Sequence, residues 1–116
     1  MTLDETTVRA TINRITDPCS VARGVPIGLE DMGLVREVRI VPASDGCGVC
    51  VRLRTTSPGC YFFLEWDRQI REALSAEGAA WVRVELDPTF DWTPVDIAPN
   101  ARDRLARHRV ALRARA

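Results

Sequence analysis

The sequence predicts an α+β fold: a single small domain in the order helix-strand-strand-helix-strand-helix, with a three-stranded sheet packed by helices. Three observations predict it. Two segments around Asp45-Gly46 alternate apolar and polar residues, the period of a half-buried strand. Between 60 and 76, Phe63, Trp66, Ile70, Ala73 and Leu74 recur at helical spacing and form one apolar stripe. A third alternating segment, 81–87, follows that helix directly. With 116 residues and 46% hydrophobic content, the chain suits one domain around one core.

In chain order, Val8, Ile12 and Ile15 mark a first helix over 3–15, with Asp4 and Glu5 at its positive end. Pro18 stops it. Residues 17–34 hold two prolines and three glycines and read as a long loop with a helical turn near Leu29 to Met32. A loop of that length in a small domain is usually functional or disordered. The core spans 35–87. Val35 to Val41 is a strand; Asp45-Gly46 supplies a turn able to take positive φ; Val49, Val51 and Leu53 face inward on the second strand. Cys60 to Ala76 is a helix ended by Gly78, and Trp81 to Asp87 a strand with Val82, Val84 and Leu86 inward. Trp66 and Trp81, on regular elements, read as core. A C-terminal loop and helix occupy 88–115, the helix from Pro99 to Arg113, with proline in its first turn and arginines in its last.

Sixteen basic residues balance sixteen acidic ones, so no net charge draws the chain to nucleic acid or an anionic membrane. All sixteen are arginine, which excludes Schiff-base lysine chemistry. One histidine, His108, reads as a solvated surface residue and leaves no material for a Ser/His/Asp triad or a His-rich metal site. No segment approaches the roughly 20 apolar residues of a membrane span, and the acidic start MTLDETTVRA is unlike a secretory signal. The expectation is a cytoplasmic protein whose four cysteines are thiols.

Those thiols carry the chemistry. Cys60 follows a Ser-Pro-Gly turn and precedes an aromatic-rich helix; a helix N-terminus stabilises the thiolate, the form that binds iron or zinc. The competing reading is a buried small hydrophobe. Cys47 and Cys50 form a CxxC, but no second pair or spaced histidine completes a metal site. On a strand their odd spacing sends them to opposite faces, and only a knuckle at Gly48 would unite them as a metal or redox pair. Cys19 follows Asp17-Pro18 in the long loop, from which it could approach Cys60, with Asp17 supplying a carboxylate.

Three blocks in this order resemble a known family. They are Asp17-Pro18 followed at a distance by LEDMGLVREVRI; VRLRTTSPGC; and VELDPTFDWTPVDIAPNARDRL. Together they are similar to the small iron–sulfur assembly domains that include PaaD-type and SufT-type proteins. The resemblance implies a factor that carries or delivers iron or an iron–sulfur cluster to a client metalloenzyme, with no turnover of its own. It places Cys60 as the key thiolate and Asp17 as its acidic companion. Gly33 serves the loop, and Trp92, Thr93 and Pro94 form the other irregular segment. Cys19 stands where the family has glutamate, Tyr61 where a proline often follows the cysteine, and the 17–31 loop is longer. A branch specialised for one client, such as an iron-dependent oxygenase, would account for these differences. Too few ligands per chain for a closed four-cysteine site suits a carrier that must release its cargo, and a homodimer would complete the set.

Two other classes compete. A metal-free adaptor would dock to a client through an exposed Trp92 loop and the arginine-rich last helix. A thiol redox protein would use Cys47 and Cys50. The six arginines of the last sixteen residues read as a solvated helix face, without the aromatic residues that nucleic-acid binding would add.

Overall fold

The computed structural model describes residues 3–44, 46–55 and 62–115, with the side chains of Cys19 and Arg115 left aside. Its elements are α1 (Glu5–Ile12), α2 (Pro18–Ala22), β1 (Val35–Ala43), β2 (Gly46–Leu53), α3 (Phe63–Ala76), β3 (Trp81–Leu86), a 3₁₀ turn (Pro94–Asp96) and α4 (Pro99–Arg115). The sheet order is β1-β2-β3. β1 and β2 form an antiparallel hairpin, closing from Val35 opposite Leu53 to Ala43 opposite Gly46. β3 lies parallel to β2, Gly48 against Trp81 through Leu53 against Leu86. Parallel neighbours need a crossover, and α3 supplies it.

One face of the sheet is apolar. Cys47, Val49, Val51 and Leu53 point to it from β2, Val38 from β1, and Val82 and Val84 from β3, all buried. Trp66, Ile70 and Leu74 of α3 and Val8 and Ile12 of α1 close over them, as the helical spacing predicts. Leu86 corrects the expectation for β3: its register turns it inward, yet it is 38% exposed, because it ends an edge strand. Trp81 is also not core. It is 39% exposed on the other face, where its indole lies over bare Gly48; a Cβ there would sit 1.9 Å from Trp81 Cε2.

The first helix is shorter than its apolar spacing suggested. Asp4 caps it, accepting from the Thr7 amide at 2.7 Å, and it ends at Ile12, although Ile15 still packs in the core. The 17–34 stretch is more ordered than a loop. Pro18 opens α2 rather than ending α1, a first-turn position where its missing N–H costs nothing. Thr16 and Gly28 form an isolated bridge, and the predicted turn at 29–32 is present, with the Met32 amide donating to Gly28 O at 2.9 Å. Ile27, Leu29 and Leu34 are fully buried, so the segment is part of the core. Gly33 has φ +74°, and a Cβ there would meet Asp96 O at 2.3 Å, so the 94–96 turn sits directly on it. Gly46 takes the expected positive φ; Asp45 lies outside the described residues. Helix α3 is described from Phe63, and Gly78 follows its end at φ +104°.

Candidate functional site

The start of β1 and the ends of β2 and β3 lie at one end of the sheet. In sheets with parallel strands, the carboxyl ends are where ligands are usually met. Three chain segments gather there: the approach to β1 through Met32 and Leu34, the exit from β2 through Arg54 and Thr55, and the exit from β3 through Asp87. Backbone bonds tie them, Arg54 N to Leu34 O and Asp87 N to Leu53 O, both 2.7 Å. Thr55 and Asp87 are buried polar residues at these exits, 2% and 3% exposed.

Charge organises the rim. Arg36 Nε meets Asp87 Oδ2 at 3.0 Å, and Arg36 Nη1 donates to Asp91 Oδ1 at 2.9 Å. Arg54 Nη1 donates to Asp96 Oδ2 at 3.0 Å. The Thr89 hydroxyl and amide donate to Asp87 Oδ1 and hold its carboxyl below the ordinary aspartate range. Burial opposes that shift, and Arg36 and then Arg52 add to it.

The Asp-Pro block has a structural explanation that sequence reading missed. Asp17 is the cap of α2: its Oδ2 accepts from the Ser20 amide at 3.1 Å, and the Ser20 hydroxyl donates back to Asp17 O at 2.7 Å. The signal was available, since aspartate followed by proline is a helix-start pair. Asp17 is 2% exposed and lines a cavity of about 100 Å³ with Ser20, Arg23, Ile27, Met32, Trp92 and Leu105. Cys19 falls on the second residue of α2; its side chain lies outside the description.

The Trp92-Thr93-Pro94 segment divides by residue. Trp92 is half-buried rather than an exposed loop tip, packs against the core, and donates from Nε1 to Met32 O at 2.7 Å. It thereby closes the wall of the Asp17 cavity. The Thr93 amide donates to Asp96 Oδ2 at 2.9 Å, and Pro94 opens the 3₁₀ turn; both are exposed. His108 is half-buried, its ring against Gly24, where an added Cβ would come within 3.2 Å of Nε2.

The CxxC is not brought together. Cys47 is buried among the helix-facing residues, while Cys50, opposite Arg39 and beside Arg83, is partly exposed on the other face. Among the described residues no group of three or more His, Cys, Asp or Glu could hold a metal ion. Cys60, with Tyr61 and the preceding Thr-Ser-Pro-Gly segment, lies outside the described residues, so the expected turn and helix-start thiolate fall there too. The described chain stops at Thr55, at the end of β2, and resumes at Phe62, which caps α3 and stacks on Trp66. The structure thus brings the Asp17 and Trp92 blocks together at the sheet end from which β2 departs.

Comparison with solved structures settles the architecture. A crystal structure of a DUF59 domain, a domain of unknown function, from Bacillus anthracis matches with TM-score 0.73. It is 18% identical, over 88% of this chain and 91% of that one. This chain has the DUF59 fold. The solution structure of Rv1466 from Mycobacterium tuberculosis, a protein associated with Fe–S complex assembly and repair, matches with TM-score 0.54. It is 21% identical, over 93% of this chain and 95% of that one. No protein-family model matches the chain, and no curated protein sequence does. Among the described residues no helix is long and apolar enough to cross a membrane.

Proposed function

We propose that this DUF59-fold protein is a cytoplasmic iron–sulfur assembly factor that carries iron or a cluster to a client metalloenzyme, for example an iron-dependent oxygenase, without enzymatic turnover. The observation that carries the reading is the meeting of the Asp17 and Trp92 segments where β2 leads toward Cys60. The M. tuberculosis protein of the same fold, associated with Fe–S complex assembly and repair, supports it.

In this reading Cys60 supplies the thiolate, since metals are held by the deprotonated thiol. Asp17 acts first by capping α2, which fixes the start of that helix. The cargo is held by fewer ligands than a closed site has, so a client with a complete set can take it. A second copy would raise the ligand number during transfer. Cys47, buried in the core, has no part in this chemistry.

Anaerobic reconstitution with iron and sulfide tests the reading. Wild type should bind iron and acid-labile sulfide in stoichiometric amounts with visible charge-transfer bands, and Cys60→Ala should lose them while melting like wild type. Equal loading of both proteins, or of neither, would remove the thiolate carrier. A metal-free adaptor is the second reading, favoured by the excess of six arginines over one aspartate in α4.

A further inference from the structure

Helix α4 leaves the body while its apolar seam continues. Ala101, Leu105, His108 and Leu112 recur at i, i+4, i+7 and i+11, one face of a helix. Burial falls steadily along them: Ala101 is 0% exposed, Leu105 9%, His108 half-buried and Leu112 51%. Where the helix departs, Arg23, Leu105, His108, Arg109 and Leu112 line an open groove of about 390 Å³ beside the end of α2. Val21 of α2, 49% exposed, stands near Arg23 in the chain.

The charges around this groove differ from those elsewhere. Eight of the ten arginines before residue 99 stand in ion pairs. Among the described residues, neither Arg23 nor any α4 arginine does; Arg104 donates only to Pro26 O, at 2.6 Å. Asp103 is the only acid from residue 99 onward. At 100° per residue, Arg109 and Arg113 flank the seam on one side and Arg104 on the other.

We propose that the groove between α2 and the outer half of α4 docks a segment of a partner protein carrying leucine-like side chains flanked by carboxylates. The floor of Leu105 and Leu112 takes the apolar side chains, and Arg23 and Arg109 pair with the acids. Desolvation beside an apolar floor strengthens such pairs over those fully in water. A lipid surface fits less well, because an interfacial helix needs a broad apolar face and this seam is narrow. Nucleic acid fits less well, because among the described residues no Phe, Tyr or Trp lines the groove to give a broad stacking platform. A second copy offers little free acid: eleven of the fifteen acids before residue 99 already pair with the chain's own arginines. The groove needs nothing from Cys60, so failure of cluster loading leaves this docking site standing.

The test is selection of a random linear-peptide library, displayed on phage, against the full chain. Fluorescence anisotropy then measures the enriched peptides on wild type, on Arg23→Glu/Arg109→Glu and on Leu112→Asp. Acidic, leucine-bearing peptides should be enriched, and each variant should weaken them by about tenfold or more. All substituted side chains border open solvent, and matching circular-dichroism melts confirm the fold. The proposal is overturned if no acidic peptides are enriched or if they bind the variants equally. It is also overturned if duplex DNA or phosphatidylserine vesicles bind more tightly regardless of Leu112→Asp, or if wild type sediments as a dimer that the variants dissolve.

Discussion

Asp87 joins three kinds of interaction: its carboxylate accepts from the Thr89 hydroxyl and amide and pairs with the Arg36 guanidinium, and its own amide donates to Leu53 O at the end of the β2–β3 ladder. Its pKa is lowered on folding, so its charged form favours the folded state. That contribution is complete above the ordinary aspartate value of about 4 and is lost as pH falls through the lower folded value. Urea titrations should therefore find Asp87→Asn less stable than wild type at neutral pH, with the gap narrowing toward pH ~3. A constant gap would mean the side chain acts through shape and hydrogen bonding alone. Asp17, by contrast, was legible only in part. Its reading as a candidate site residue rested on the family resemblance and on its place beside Cys19; the bond that makes it the α2 cap needed the Ser20 amide to be located.

At the scale of elements, the segment from Thr89 to Ala98 is held by few but well-placed bonds. Trp92 Nε1 reaches Met32 O, the Ala98 amide reaches Asp31 O at 2.8 Å, and Arg54 reaches Asp96. Each joins the 88–98 stretch to another part of the chain, so this irregular stretch acts as a strap over the sheet end. Trp92→Phe keeps most of the packing and removes one donor. It should cost about 1 kcal/mol in urea unfolding and raise hydrogen exchange at the Ala98 amide. Unchanged exchange there would mean the strap is fixed by packing rather than by this bond. The regular elements were readable because each buries one face: β2 alternates and α3 repeats at 3.6. Trp81 escaped that logic. A large indole in a strand pattern reads as core, but its register places it over Gly48 on the uncovered face.

For the whole molecule, the long dimension of 59 Å against 29 and 21 Å shows an elongated body. Residues 109–114 of α4 are exposed throughout, so the outer end of the helix adds little to the core. Ending the chain after Arg109 should leave the urea midpoint and slope of unfolding unchanged within error, because little surface buried in the fold is lost. A marked drop in either would place the outer helix inside the cooperative unit. The chain also divides by charge: ten arginines and fifteen acids precede residue 99, whereas six arginines and one aspartate follow it. A net charge of zero hid that division, since a total says nothing of where charges lie.

By itself the sequence determined the α+β class, the order of the strands and long helices, and most of the core, because apolar periodicity is a local property that each segment carries alone. It also determined that Cys47 and Cys50 would part if the strand ran through both, since alternation is built into strand geometry. Only the tertiary structure decided that β3 runs parallel to β2 and that residues 18–22 fold into a helix inside a glycine- and proline-rich stretch. It alone showed that Trp92 closes the cavity beside Asp17, 75 residues away in the chain. These depend on long-range packing, which no local pattern encodes: the partner of each side chain is set by which surfaces remain once the neighbouring elements are buried.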